Sequence, residues 1–118
     1  MFTGKLVASQ NEKAKSNGYV NIRIWASNND KCRGNFILER TSNEKFWDEI
    51  TTFEMGSLSE LKRFYWKDNS VEHGKKYRYS LRQYAMDRDG HPTIYSNRIL
   101  TDWIVVEFED MFLSDGER

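Results

Sequence analysis

The run from Val71 to Tyr84, Val-Glu-His-Gly-Lys-Lys-Tyr-Arg-Tyr-Ser-Leu-Arg-Gln-Tyr, constrains the fold of this chain more than any other. A turn centred on Gly74 leads into a strand whose Tyr77, Tyr79 and Leu81 share one face, because strand side chains alternate with period two. An apolar residue, a glycine turn and a tyrosine six positions after the apolar residue is the pattern of a tyrosine corner in Greek-key sandwiches, here Val71 and Tyr77. Such a corner points to a binding or structural module. No ligand or reaction is written into it.

Similar runs recur along the chain. Lys5 to Gln10 reads as a first strand, followed by a polar loop over Asn11–Gly18. In Tyr19–Trp25 the residues Val20, Ile22 and Ile24 share one face, and in Asn35–Arg40 Phe36 and Leu38 do. Asn28-Asn29-Asp30-Lys31 is turn chemistry between those two runs. A connection over Thr41–Glu49 carries Phe46 and Trp47 and leads to a short strand at Ile50–Phe53. Ser57-Leu58-Ser59-Glu60 has the form of a capping box for one helical turn. Leu61–Lys67 reads as a strand with Phe64 and Trp66 inward and Tyr65 outward, and Tyr77–Ala85 as the clearest strand. Asp89-Gly90 signals a hairpin, and Ile99–Phe108 a last long strand. Short β-rich runs separated by turns, without a long amphipathic helix, predict an all-β Greek-key sandwich of about seven strands.

With 118 residues, one domain is expected: a sandwich over residues 1–106 and a C-terminal extension or junction over 107–118. Lys plus Arg and Asp plus Glu both number 18, so no basic excess drives phosphate binding and no nucleic-acid partner is predicted. No apolar run approaches the ~20 residues of a membrane span, and no signal peptide is expected ahead of the first strand. Cys32 is the single cysteine, so no internal disulfide is available, and folding in a reducing cytoplasm is the default.

The order of these strands resembles a fibronectin type III domain, an immunoglobulin-like sandwich. The match runs from about Lys5 to Val106. Trp25 stands where that family places a buried Trp on its second strand, and Val71 and Tyr77 match its corner residues. Ser96-Asn97 resembles the polar start of its final strand. His73 departs from the family's usual Pro, and Asp68-Asn69 end the preceding strand early. A narrower resemblance, to fibronectin-like domains of bacteriophage virion and tail-associated proteins, rests on Phe64–Asp68, Val71–Tyr79 and Phe108–Arg118. It implies a non-enzymatic structural or interaction domain of a virion, assembled in the host cytoplasm. Its partners would be other virion proteins or further domains of the same chain, and 107–118 would be a junction within a longer polypeptide.

Catalytic chemistry finds little support. His73 and His91 are the only imidazoles, and both lie in predicted turns. Cys32 has no local activator. One Cys and two separated His make a poor zinc set, and Asp87-Arg88-Asp89-Gly90 lacks the further ligands of a calcium loop, so a hairpin tip explains it. No phosphate-binding glycine loop is present, so no cofactor, metal or catalytic residue is assigned. The apolar residues near the C-terminus are harder to dismiss. Phe108, Met111, Phe112 and Leu113, with Trp103, form the candidate interface, oriented by charged rims such as Lys76, Arg78 and Arg82. A core already holding Trp25, Trp66, Tyr77 and Tyr79 leaves no room for Trp47, Tyr65, Tyr95 and Trp103 together. Trp47 and Trp103 are therefore the candidate platforms of an alternative function, a carbohydrate-binding module for a bacterial surface glycan.

Overall fold

Val20, Ile22, Ile24 and Ala26 alternate along one strand, Val20–Asn28, and all four are buried to 1% exposure or less. The computed structural model describes residues 2–28, 34–56, 62–94 and 97–109. The turn at residues 29–31, Cys32, the capping box at 57–60, Leu61, Tyr95 and Ser96 lie outside the described residues, as do Met111, Phe112 and Leu113.

In chain order the elements are β1 (Phe2–Ser9), α1 (Glu12–Asn17), β2 (Val20–Asn28), β3 (Gly34–Thr41), β4 (Asp48–Gly56), β5 (Lys62–Asp68), β6 (Lys76–Met86), β7 (Pro92–Ile94), β8 (Ile99–Leu100) and β9 (Ile104–Val105). Antiparallel pairing joins β1-β2-β5 into one sheet. The other runs β4-β3-β6, with β7, β8 and β9 all against the far side of β6. The two sheets close over one core in which Leu6, Ile22 and Ile24 from the first meet Phe36, Leu38, Tyr79 and Leu81 from the second. The fold is therefore an all-β sandwich of two antiparallel sheets. Among the described residues no helix is long and apolar enough to cross a membrane.

Local chemistry departs from expectation in three places. The expected loop at 11–18 holds a helix of one and a half turns. Asn11 caps it by accepting the Ala14 N–H at 2.8 Å, and Gly18 ends it at φ 74°, in the left-handed region open to glycine. The last long strand is broken. Between Tyr84↔Ile94 and Ser80↔Leu100, four steps along β6 face six along its partner, and from there to Lys76↔Val105 four face five. β7, β8 and β9 thus follow one another along β6 as pieces of one seventh strand, shifted in register, with a bulge at 101–103 between the last two. Trp25 and Trp66 are not core residues either. Parity with buried Ile24 turns Trp25 outward, where it is half-buried, and Trp66, on edge strand β5, keeps 37% of its surface. The hairpin at Gly90 (φ 81°) forms as expected, with Asp87 Oδ1 accepting the N–H groups of Asp89 and His91.

Buried Val71 and Tyr77 meet at the link between the sheets, and the Tyr77 hydroxyl accepts the Glu72 N–H at 3.1 Å, which stitches the β5–β6 connection to the start of β6. Beside it lies a polar cluster inside the sandwich. Asp68 closes β5 on its inward face with 2% exposure. Its carboxylate accepts from Arg40 of β3 at 2.8 Å, from the Tyr79 hydroxyl of β6 at 2.6 Å, and from the Ser70 hydroxyl and N–H at 2.6 and 3.1 Å. The Arg40 guanidinium also lies 4.8 Å from the Tyr77 ring centroid. Burial alone would raise the Asp68 pKa, but the bonds from Ser70, Tyr79 and Arg40 outweigh it and hold the carboxyl below its ordinary range. Burial and the Asp68 charge push the Tyr79 hydroxyl far above the phenol range, so it stays a donor. Burial opposes the Arg40 charge, yet Asp68 more than compensates and raises its pKa.

A carboxylate whose folded pKa is depressed stabilises the fold above its unfolded value, near pH ~4, and loses that contribution as pH falls through the folded value. Asp68→Asn should cost about 3 kcal/mol at neutral pH in urea unfolding, since it leaves the Arg40 charge without its partner. The gap between the two proteins should narrow only below pH ~4. A gap constant down to pH 2 would contradict this account of Asp68.

Candidate interaction surface

The break in the seventh strand sets a row of apolar side chains on the surface. At Thr101 the backbone N–H donates to the Tyr79 carbonyl at 3.0 Å, and the side-chain Oγ1 accepts the Tyr79 N–H, also at 3.0 Å. A hydroxyl thus replaces a main-chain carbonyl in the ladder, and the strand swings out before resuming at Ile104. Ile99 and Ile104 pack against the core. Leu100, Trp103 and Val105 remain outside at 40%, 37% and 59% exposure. A groove of about 340 Å³ separates this strand from β1, lined by Lys5 to Ala8 on one side and Leu100 to Ile104 on the other.

Charges frame the strip. The Lys76 ammonium lies 4.9 Å from the Trp103 ring and the Arg78 guanidinium 6.0 Å from it. Arg78 also pairs with Glu44 and donates to the Thr101 carbonyl at 2.7 Å, tying the β3–β4 loop to the bulge. Further along the outer face of this sheet, buried Glu39 accepts both nitrogens of the Arg82 fork and one from Arg98 at 2.7 Å. The Arg98 guanidinium stacks 4.1 Å from the ring of Trp47 and covers one of its faces.

Of the candidate interface residues, Trp103 is on the surface. Phe108 is instead half-buried and packs on its own domain. Its ring covers Gly18 and lies 5.9 Å from the His73 ring, while its N–H donates to His73 Nδ1 at 2.8 Å. The neighbouring residues are held similarly. Glu107 exchanges bonds with Gln10 and pairs with Lys15 at 3.3 Å, and the Glu109 N–H donates to the Lys15 carbonyl. Leu100 and Val105 were missed as surface residues. Val105 shares the parity of Trp103, whereas Leu100 has the opposite parity, and even alternation along one unbroken strand gives no sign of the bulge that lets both face out.

The two imidazoles sit at opposite ends of β6. His73 accepts a main-chain bond at the corner, and His91 sits on the β6–β7 hairpin. At that hairpin Asp87, Asp89 and His91 offer ligand atoms within 4.8 Å of one another, all exposed. One Asp87 oxygen there already accepts two backbone N–H groups. No family model, curated protein or solved structure matches the chain.

Thr101→Val tests the bulge, because the change keeps the side-chain shape and removes the hydroxyl that accepts the buried Tyr79 N–H and donates to the Asp102 carbonyl at 2.8 Å. It should lower stability by about 1–3 kcal/mol in urea unfolding. No change would show that Tyr79 has another partner.

Proposed function

We propose that this chain is a non-enzymatic, fibronectin type III-like module of a bacteriophage virion protein, tail-associated, that spaces or joins parts of the particle. The resemblance stated for the corner and for the C-terminal segment supports the family. The three-strand sheet against a second sheet, with the Tyr77 hydroxyl bonded five residues upstream, is in keeping with it. The observation that carries the joining role is the row Leu100, Trp103 and Val105 along the seventh strand, bordered by Lys76 and Arg78. Apolar area covered there contributes about 25 cal/mol per Å² before ordering costs are subtracted, and the cations orient the partner. The anchored segment at 107–109 gives the chain a fixed direction as it leaves the sandwich, which suits a spacer.

Val105→Asp places a charge in the row without touching the core. It should leave the urea midpoint unchanged and reduce incorporation of the full-length protein into purified particles severalfold, read by immunoblot. Wild-type incorporation, or absence of the unmodified protein from particles, would overturn the proposal. Saturable binding on a glycan array that disappears in Trp103→Ala or Trp47→Ala would replace it with the carbohydrate-binding alternative.

A further inference from the structure

The outer face of the β1-β2-β5 sheet carries a charge pattern that the balanced composition conceals. Cross-strand register sets its residues in rows: Lys5, Trp25 and Arg63 in one, Val7, Arg23 and Tyr65 in the next, Ser9, Asn21 and Lys67 in the third. The opposite parity of β2, from Val20 to Ala26, is buried, so these rows lie on the outer face, where Asn21 alone of the three β2 residues is covered. They hold four cations and no carboxylate. Among the described residues no carboxylate pairs with Arg23 or Arg63. Trp25 has Lys5 and Arg63 beside it across the strands and Arg23 two residues along. Tyr65 has Arg23 beside it and Arg63 and Lys67 along its own strand. By register Trp25 thus has three cationic neighbours and Tyr65 has Arg23 and Arg63, while the Lys67 ammonium lies 4.8 Å from the Tyr19 ring centroid. Arg23, Trp25, Arg63 and Tyr65 line a shallow depression of about 460 Å³, and Tyr65 is fixed there by its hydroxyl bond to the buried Asn21 side chain.

The geometry points to a binding face for an acidic polysaccharide, a chain of sugar rings that carry their own carboxylates. Aromatic rings at half exposure offer flat apolar area for sugar faces, and guanidinium forks match carboxylates in two-point hydrogen bonds. The interleaving decides between polyanions. Single-stranded nucleic acid stacks its bases on aromatic side chains while a charged groove follows its backbone, which calls for separate aromatic and cationic tracks. Here cation, ring and cation follow one another across the strands in Lys5, Trp25 and Arg63 and along β5 in Arg63, Tyr65 and Lys67, which suits a ligand whose charge is mounted on each ring. Neighbouring rows on a strand are about 6.8 Å apart and adjacent strands about 4.8 Å, so the patch spans a few sugar units. This face is distinct from the seventh-strand row and does not depend on the joining role.

Calorimetric titration in ~0.1 M salt, where close ion pairs survive screening, tests the inference with four probes: oligogalacturonate, a neutral maltooligosaccharide of equal length, polyphosphate and oligo-dT. Oligogalacturonate should bind saturably and more tightly than polyphosphate or oligo-dT at equal charge, and the neutral sugar should not bind. Arg63→Ala and Trp25→Ala should each weaken binding about tenfold. Because Arg63 is exposed, its variant should keep the wild-type urea midpoint, and Trp103→Ala should bind normally. Absence of oligogalacturonate binding, equal binding of polyphosphate, tighter binding of oligo-dT, or sensitivity to Trp103 in place of Trp25 would each overturn the inference.

Discussion

The Asp68 carboxylate is the point on which the two sheets depend for their relative placement. Apolar packing between sheets is non-directional and tolerates sliding, whereas a carboxylate held by Arg40, Tyr79 and Ser70 accepts only one arrangement of β3, β5 and β6. Removing a charge of this kind from water is costly, and the cost is met only when its lone pairs are filled. Here they are, by three side chains and one main-chain N–H. The tyrosine corner lies next to it, with Arg40 over the Tyr77 ring, so the crossing from β5 to β6 is fixed from both sides.

That fixed crossing has consequences downstream. β6 is the strand to which every piece of the seventh strand bonds, and Tyr79, whose hydroxyl donates to Asp68, also bonds through its main-chain N–H and carbonyl to the Thr101 hydroxyl and N–H. The bulge that exposes Trp103 and Val105 is therefore built on the same residue that anchors the core. From Val106 the chain passes the corner again, where the Gly74 N–H donates to the Val106 carbonyl and Phe108 meets His73, before reaching α1. The exposed apolar row and the segment at 107–109 are both referenced to one corner.

Much of the sandwich was legible because inward positions announce themselves by period two: Val20, Ile22 and Ile24, Phe36 and Leu38, Tyr77, Tyr79 and Leu81 are all buried. The short helix was not, since Asn11 and Gly18 bracket six residues of which only Ala14 is buried. Nor was the broken last strand, because the role of Thr101 is set by Tyr79, 22 residues away. The parity rule contained more than was taken from it. Arg40 shares a face with Phe36 and Leu38, and Asp68 with Phe64, so an inward cation and an inward anion on facing sheets were already implied. The same rule, applied against the family resemblance, turns Trp25 outward into the basic face of the first sheet. Phe108 looked like an exposed apolar residue because its cover, Gly18 and His73, comes from distant parts of the chain.

The most direct measurement of the central claim is a double-mutant cycle between Arg40→Met and Asp68→Leu, followed by urea unfolding at neutral pH. If the sheets are tied through this pair, the double variant should be more stable than the sum of the single losses implies, with a coupling of about 2 kcal/mol or more. Additivity within about 0.5 kcal/mol would mean that the two side chains stabilise the fold independently and that apolar packing alone sets the sheets in place.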